Sequence, residues 1–401
     1  MKARLVMARQ PDTDGWDGGG APAGSPEQYV LREVLDYQPP IYLRIIRIGL
    51  LAVASLIVCL VLFSVYWVVV AANLKGGLKS WVDDQMGVGI RAHYEGVEIS
   101  GYPFVFRVIL TKPQVSLSFI PASSGGEEWR WQASRLIAEM KPWDLNTVKL
   151  DVSGSHDVEI TRGAVRDIYR AAARQAVIAV IIGDDGLPNI STVTMSGLEV
   201  WDKQRNDQVS ARHVRLQGGR LFPQDLTNET PTFDVSATIQ DFYLPRRLNL
   251  PLGHKIEYFR IKLQVLGQLK RPIDQETLAA WRDDGGVIEI SALEARYGSL
   301  QMVASGTMAL DYQLQPLAAM SVKLHGYVPA LDQLRAARVI GLREVTIAKL
   351  VLGALSRRES DGGPATVRLP FNIRDGVLTA QGLKLLAIPP VIWPGKAAKV
   401  Q

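Results

Sequence analysis

Hydrophobic residues form one long run near the N-terminus, and beyond this run they alternate with polar residues. Between Ile48 and Leu74 no residue is charged. A helix of this length is roughly 40 Å long, more than the ~30 Å hydrocarbon core of a bilayer requires. The run therefore predicts a transmembrane helix, with the anchor residues Ile48, Leu51, Leu56, Leu60, Phe63, Trp67 and Val70.

Two other interpretations of this run are weaker. A cleaved signal peptide has a shorter apolar stretch and a shorter preceding segment. A buried helix of a soluble protein would show a polar face, and the run has none. Charges set the expected orientation: Arg32, Arg44 and Arg47 precede the run, whereas Lys75 and Lys79 follow it. This small bias favours a cytoplasmic N-terminus, so the C-terminal domain is expected to be periplasmic or extracytoplasmic.

After the predicted span, apolar residues recur at every second position, which is the pattern of half-buried strands. We predict six strong and five weaker strands, which lie near 104–111, 233–240, 259–265, 300–310, 320–324 and 367–373, and near 113–119, 147–152, 157–161, 191–201 and 209–216. Short turns at Lys112-Pro113 and at Leu314-Gln315-Pro316 favour antiparallel pairing between consecutive strands.

Helical patterns are few in this region. Ala164–Arg174 is alanine-rich and is predicted as a helix, whereas Ala176–Ile182 is β-branched and favours a strand. Asp274 is a candidate N-cap for a helix over Asp274–Arg282, with Gly285 beyond its end. Two more helices are predicted at Ala330–Arg338 and Leu342–Leu355. The fold class is therefore mainly β (α+β): a transmembrane helix followed by long curved antiparallel sheets with a few helices packed on them.

Four segments follow from these patterns. Residues 1–40, rich in glycine and proline, form a disordered cytoplasmic tail. Residues 41–74 form the transmembrane anchor, and the helix is expected to continue to Met86 before Gly87 and Gly89. Residues 75–390 form the extracytoplasmic β-rich domain, and residues 391–401 form a C-terminal tail.

Composition narrows the chemistry. The formal net charge is only +5, and lysines and arginines are spread along the chain, so nothing indicates nucleic-acid binding. The only cysteine, Cys59, lies in the predicted span. The five histidines are scattered without metal-ligand spacing, so we predict no metal site and no cofactor. Motifs for phosphate binding or for a nucleophilic serine are missing as well, and an enzyme is not expected.

The turn Gly101-Tyr102-Pro103-Phe104 has a structural interpretation. Glycine permits a sharp turn, and proline fixes φ and ends strand pairing. The aromatic rings of Tyr102 and Phe104 are expected to hold the turn against the core. A binding site is the less favoured interpretation of this motif.

Several stretches resemble one protein family in their order and spacing. They are the turn just described, Trp281-Arg282-Asp283-Asp284-Gly285-Gly286, Tyr297-Gly298-Ser299-Leu300, Gly306-Thr307-Met308-Ala309-Leu310-Asp311, Arg374-Asp375-Gly376-Val377-Leu378-Thr379 and Ile388-Pro389-Pro390. Together they resemble domain of unknown function 2125, over about residues 50–390. Near the end, Ala380-Gln381-Gly382 replaces a Gly-Pro pair that the family usually has.

The resemblance implies a proteobacterial envelope protein without an assigned reaction. Its anchor and β-rich body are also similar to AsmA-like proteins, which are associated with phospholipid movement, although fold-level similarity says little about function. We expect a non-enzymatic protein that binds or scaffolds lipid or other envelope components, with the membrane as its first partner. The alternative is a membrane-anchored envelope hydrolase whose site is assembled from distant residues.

Overall fold

The computed structural model describes residues 41–86, 90–118, 127–270, 273–357, 366–391 and 393. The chain divides into two compact units, Met1–Tyr66 and Trp67–Gln401. The predicted tail at 1–40, the helix end at Gly87 and Gly89, and nearly all of the C-terminal tail lie outside the described residues.

Four α-helices and one sheet of twenty strands make up the described chain. The helices are α1 (Ile41–Met86), α2 (Gln275–Asp283), α3 (Tyr327–Ala336) and α4 (Leu342–Leu355). The first ten strands are β1 (Ile90–His93), β2 (Gly96–Ser100), β3 (Phe106–Thr111), β4 (Gln114–Ser118), β5 (Glu127–Ala133), β6 (Arg135–Lys141), β7 (Asp144–Asp151), β8 (Gly154–Arg162), β9 (Val165–Ile182) and β10 (Pro188–Asp202). The rest are β11 (Asp207–Arg220), β12 (Pro231–Tyr243), β13 (Lys255–Leu266), β14 (Val287–Tyr297), β15 (Leu300–Leu310), β16 (Pro316–His325), β17 (Ser356–Arg357), β18 (Thr366–Arg374), β19 (Val377–Ala380) and β20 (Leu383–Ala387).

The mainly-β class with a few helices is confirmed, and the sheet is antiparallel throughout. From β9 to β16 each strand pairs with the next strand along the chain, and β16, β18, β19 and β20 continue this order. The helices α3 and α4 are inserted between β16 and β18. The result is a long meander, in which neighbours in sequence are neighbours in space.

The first eight strands follow the same order once they are taken in consecutive pairs. β2 pairs with β3, and β1 pairs with β4. On the other edge of these two strands, β6 pairs with β3, and β5 pairs with β4. β7 and β8 then pair with successive halves of the 18-residue β9. Each pair β1–β2, β3–β4, β5–β6 and β7–β8 is thus one long strand with a single interruption.

This arrangement corrects the prediction of a hairpin at Lys112-Pro113. The dipeptide interrupts one long strand instead, because β3 and β4 pair with other strands and not with each other. Lys112 has a φ of 46°, and its backbone nitrogen donates to the Ser134 carbonyl oxygen at 3.0 Å. The predicted turn at Leu314-Gln315-Pro316 does join a paired hairpin, β15 and β16.

The interruptions align from strand to strand and form a line across the sheet. In β9 to β13 the line continues as positions that the ladder skips, namely Arg174, Gly197, Arg212, Asp241 and Glu257. Apolar positions change parity there: in β10, Val193 and Met195 precede Gly197, and Leu198 and Val200 follow it. A bulge-like irregularity requires such a change if the same face is to remain apolar.

The predicted helix at Ala164–Arg174 is wrong, because all of it except Ala164 belongs to β9, whereas the strand predicted at Ala176–Ile182 is confirmed as the second part of β9. Alanine favours helices in isolation, but this segment lies between β8 and β10 and its backbone is satisfied by both ladders. The exposed fraction of Ala173 is only 8% and that of Ala176 is 2%. Tertiary pairing has overridden local propensity, as it often does in sheets.

The other predicted helices are confirmed. Asp274 is the N-cap of α2. Its side chain accepts a hydrogen bond from the Thr277 backbone nitrogen at 2.9 Å, and its own backbone nitrogen donates to the Thr277 hydroxyl oxygen at 3.0 Å. Gly286 follows the helix because a Cβ there would lie 2.2 Å from the Trp281 ring. Helix α3 begins at Tyr327, three residues before the predicted start, and α4 has its predicted bounds.

Two clusters of buried residues lie where helices meet the sheet. In the first, Leu278 and Trp281 of α2 pack with Leu310 and Leu314. In the second, Tyr327 of α3 packs with two β18 residues, Val367 and Leu369. Each cluster also gathers half-buried side chains from neighbouring strands. The helices therefore cover two separate areas of the sheet.

We predict that Trp281 is a major stability determinant. Its indole nitrogen donates to the Leu266 carbonyl oxygen at 2.8 Å, and its side chain is 3% exposed. Trp281→Ala should lower the free energy of unfolding by about 3–5 kcal/mol through the cavity that it leaves. Denaturant unfolding followed by circular dichroism measures this loss. Trp143→Ala, at a tryptophan that is 66% exposed, is the control and should cost less than about 0.5 kcal/mol. Equal losses in the two variants would contradict the assignment.

Candidate functional site

The first half of α1 is a candidate membrane span. The segment Tyr42–Asp83 is long and apolar enough to cross a bilayer, and none of its most apolar window is buried. Of the predicted anchor residues, Ile48, Leu51, Leu56 and Leu60 are between 59% and 69% exposed. Side chains this apolar are rarely left uncovered in a row on a soluble protein.

The second half of α1 differs, because one side of it is partly covered. Half-buried residues recur every three or four positions from Trp67 onwards, at Trp67, Val70, Ala71, Leu74, Leu78 and Val82. This spacing is the packed stripe of a helix on the surface of a folded body. Two of the predicted anchor residues, Trp67 and Val70, therefore belong to the packed stripe. Phe63, a predicted anchor residue before the unit boundary at Tyr66, is half-buried as well, and its ring centroid lies 6.1 Å from that of Tyr66.

Trp67 makes the ring contacts that connect this stripe to the sheet. Its ring stacks on Phe106 at a centroid distance of 5.1 Å and meets Tyr102 edge-on at 5.6 Å. Phe106, the first residue of β3, is fully buried. The Trp67 indole nitrogen is also buried, with no hydrogen-bond partner among the described residues, so the contact is one of packing.

The turn Gly101-Tyr102-Pro103-Phe104 connects β2 to β3. Gly101 has a φ of 97°, and a Cβ there would lie 2.5 Å from the Val105 carbonyl oxygen. The backbone nitrogens of Phe104 and Val105 both donate to the Gly101 carbonyl oxygen, at 3.1 and 3.0 Å. The turn is thus tight, as predicted, and glycine is required at its first position.

The expected role of Phe104 is wrong, since this side chain is 72% exposed. Phe104 precedes the strand, so it lies beyond the last paired position of the hairpin, Ser100 with Arg107. Phe106 is the residue that packs against the core instead. Tyr102 does contact Trp67, although 48% of its surface is exposed.

The sheet carries a row of apolar side chains, one from each of thirteen successive strands, that sequence reasoning did not identify. Directly paired residues project from the same face, so the pairing defines the row. We call it the apolar row: Ile99, Val108, Ala138, Leu150, Ile178, Val193, Leu216, Ala237, Ile261, Leu293, Ala304, Val322 and Leu369. At about 4.8 Å between strands, its twelve steps cover roughly 58 Å along the sheet.

Burial changes along the apolar row. Ala304, Val322 and Leu369 are 3%, 1% and 6% exposed, close to the cluster under α3. The remaining members are half-buried, except Leu216, which is 40% exposed. A neighbouring row through Val235 and Leu263 is apolar as well. Most of this face therefore retains accessible apolar surface.

From β10 to β18 the opposite face carries mostly polar residues at the intervening positions, whereas in β3, β6 and β9 the same row holds Ile109, Ile137 and Val177. A row there passes through Thr194, Arg215, Thr238, Arg260, Glu294, Val303, Lys323 and Arg368. Arg260 and Glu294 form an ion pair at 3.7 Å. The sheet from β10 to β18 is thus apolar on one face and mostly polar on the other, as expected for an antiparallel sheet with one solvated side.

Charged residues meet where the line of interruptions crosses β11 to β13. Asp241 has a φ of 48° and is 8% exposed, and its carboxylate is 2.5 Å from Arg212 and 2.6 Å from Lys255. The hydrogen bond from Lys255 lowers the pKa of the Asp241 carboxyl, with a further contribution from the charge of Arg212, whereas burial opposes the shift. One carboxylate thus connects three consecutive strands.

No three metal-ligating side chains come together in the described part of the chain. The histidines lie on separate elements, and two of them have structural contacts: His156 stacks on Trp131, and His325 is 3.3 Å from the Thr366 hydroxyl. The envelope hydrolase stays an untested alternative.

The fold and this site define a single-sheet β domain that follows a candidate membrane span. Residues 67–389 match the model of a family described as an uncharacterized protein conserved in bacteria (DUF2125), and the chain belongs to this family. The predicted family resemblance is confirmed. No curated protein and no solved structure matches the chain. The matched region begins at Trp67, the residue at which the second compact unit also begins.

We predict energetic coupling between Trp67 and Phe106. Phe106→Ala should lower the free energy of unfolding by about 3–5 kcal/mol, because it leaves a cavity at a fully buried position. In a double-mutant cycle with Trp67→Ala, the coupling energy should be about 0.5–1.5 kcal/mol, as for other packed aromatic pairs. The measurement is denaturant unfolding of the full chain in micelles. The matched control is Phe104→Ala, which should combine additively with Trp67→Ala; additivity for Phe106 would contradict the contact.

We also predict that Asp241 contributes a pH-dependent stability. Because its pKa is lower in the folded chain than the ordinary value of about 3.9, the contribution is complete above that value. It is lost as the pH falls through the folded-state pKa. Asp241→Asn, which tolerates the positive φ, should cost about 1–2 kcal/mol at pH 7, and the difference from the parent should shrink towards pH 3. Thermal unfolding across this range is the measurement. Glu139→Gln, in a more exposed pair with Arg107, is the control and should have little effect at any pH. A loss at Asp241 that is constant with pH would contradict the prediction.

Proposed function

We propose that this chain is a non-enzymatic protein of the bacterial envelope that binds lipid acyl chains along its apolar row. In this proposal α1 spans the inner membrane, the N-terminal residues are cytoplasmic, and the sheet lies in the periplasm. The observation that carries the proposal is the apolar row itself, which continues over thirteen strands and is mostly only half-buried.

A bland interpretation of the same row is that it forms an ordinary closed core. Such a core would bury its side chains almost completely, as Ala304 and Val322 are buried near α3. Leu216 of the apolar row and Val235 of the neighbouring row on the same face, in the middle of the sheet, instead remain 40% and 39% exposed. Their exposure favours an apolar surface that takes up a flexible hydrophobic ligand.

Lipid is the favoured ligand for two reasons. Acyl chains are long and have no polar groups along their length, so they suit an extended surface that offers few hydrogen bonds. The row also begins at Ile99 in β2, and β2 leads directly into the turn whose Tyr102 contacts Trp67. The proposed binding surface therefore starts next to the residue that follows the candidate span.

Photocrosslinking tests the proposal. p-Benzoylphenylalanine would replace Leu216 or Val235 on the apolar face, and Gln217 or Ser236 on the polar face as matched controls one residue away. Gln217 and Ser236 pair with each other across the ladder. After irradiation of cells, mass spectrometry should find lipid adducts several-fold more often at Leu216 and Val235 than at the two controls. Equal yields on both faces, or protein adducts alone, would overturn the assignment.

A further inference from the structure

We propose that the turn Gly101–Phe104 is a second membrane contact, in which Tyr102 and Phe104 enter the interfacial layer of the bilayer beside the end of the span. The inference rests on α1 being the membrane span of the proposed function. It goes further, because it assigns a bilayer-binding surface to the β domain itself.

The uncharged run extends to Leu74 and is longer than a bilayer needs, so we place the end of the span where the packed stripe of the second unit begins, at Trp67. Arg47 is the last charged residue before the run, and Ile48–Tyr66 contains nineteen residues. As a helix these residues extend about 28 Å, close to the ~30 Å thickness of the hydrocarbon core. Trp67 therefore falls at the interface, where tryptophan and tyrosine rings are enriched.

The turn lies in contact with this residue. Tyr102 contacts the Trp67 ring edge-on at 5.6 Å, and Phe106, just after the turn, stacks on the same ring at 5.1 Å. Both contacts are within the second compact unit, and Trp67 is next to Tyr66 in one continuous helix. A bilayer that ends near Trp67 therefore meets the turn.

The exposed groups of the turn suit an interfacial position. Phe104 is 72% exposed, so packing within the domain does not account for its size, and Tyr102 remains 48% exposed beside its contact with Trp67. Residues 99–106 carry no charge that would resist entry into the headgroup region. The two hydrogen bonds to the Gly101 carbonyl oxygen hold the turn in one conformation, so the position of Phe104 is fixed. A protein partner at this site is the competing occupant.

Spin labelling of the full chain in phosphatidylethanolamine–phosphatidylglycerol nanodiscs tests the proposal. Three labelled samples are compared: the native Cys59, Phe104→Cys with Cys59→Ala, and Phe222→Cys with Cys59→Ala. Phe222 is the matched control, an exposed phenylalanine (68%) in the loop after β11. The measurement is the collision rate of each label with oxygen, which partitions into lipid, and with a water-soluble nickel chelate.

The expected ratio of oxygen to nickel collisions is highest at Cys59 and several-fold higher at position 104 than at position 222. Equal ratios at 104 and 222 would overturn the membrane contact, and so would a label at 104 that neither reagent reaches, as under a protein partner. If the label at Cys59 is reached mainly by the water-soluble nickel chelate, the proposed span has failed, which is a different result.

A measurement on the wild-type chain covers the case in which a variant misfolds. A photoactivatable lipid with its reactive group near the glycerol should label the peptide that contains residues 102–104. Labelling no stronger than at the peptide around Phe222 would also overturn the proposal.

Discussion

Pairing between consecutive strands is the constraint on which the rest of this structure depends. In an antiparallel ladder directly opposed residues project from the same face. The register of each pair therefore determines which residues of the next strand lie on the apolar face. A slip of one residue at any hairpin would exchange the two faces beyond it. The apolar row is continuous because the register of all thirteen strands places an apolar residue of each strand opposite an apolar residue of the next.

A bulge in a strand leaves the apolar residues on one face only when the alternation of apolar and polar residues shifts at the same position. In β14, Ile288 and Ile290 face the apolar side, the register shifts, and the apolar positions resume at Leu293 and Ala295. Apolar parity changes at the same place as the bulge. The same coincidence at Gly197 in β10 shows that pattern and backbone geometry match along the line of interruptions.

Sequence patterns predicted the strands in which one face is polar and the other apolar, and they predicted α2 through its capping residues. They failed for the first part of β9, up to Arg174, where alanines fill both faces, although they predicted its second part, Ala176–Ile182. They also missed β14, whose period is broken by its bulge. They also missed β5 and β6, although Trp129 and Trp131 alternate with charged residues. The candidate site was harder to predict, because the apolar row exists only once the register of every hairpin is known. The exchange of roles between Phe104 and Phe106 likewise depended on where pairing begins in β3.

Trp67 follows the candidate span in α1 and contacts the first hairpin of the sheet. The candidate span has reached the thickness of a bilayer by Tyr66, and the family match and the second compact unit both begin one residue later. Trp67 then packs against Tyr102 in the β2–β3 turn and against Phe106 just after it. The two strands of this hairpin supply Ile99 and Val108, the first two members of the apolar row. A tether alone could be joined to the domain by a flexible linker, with no ring contacts at its end. Under the proposed function the contacts have a purpose, because they hold the first hairpin of the apolar row close to Trp67.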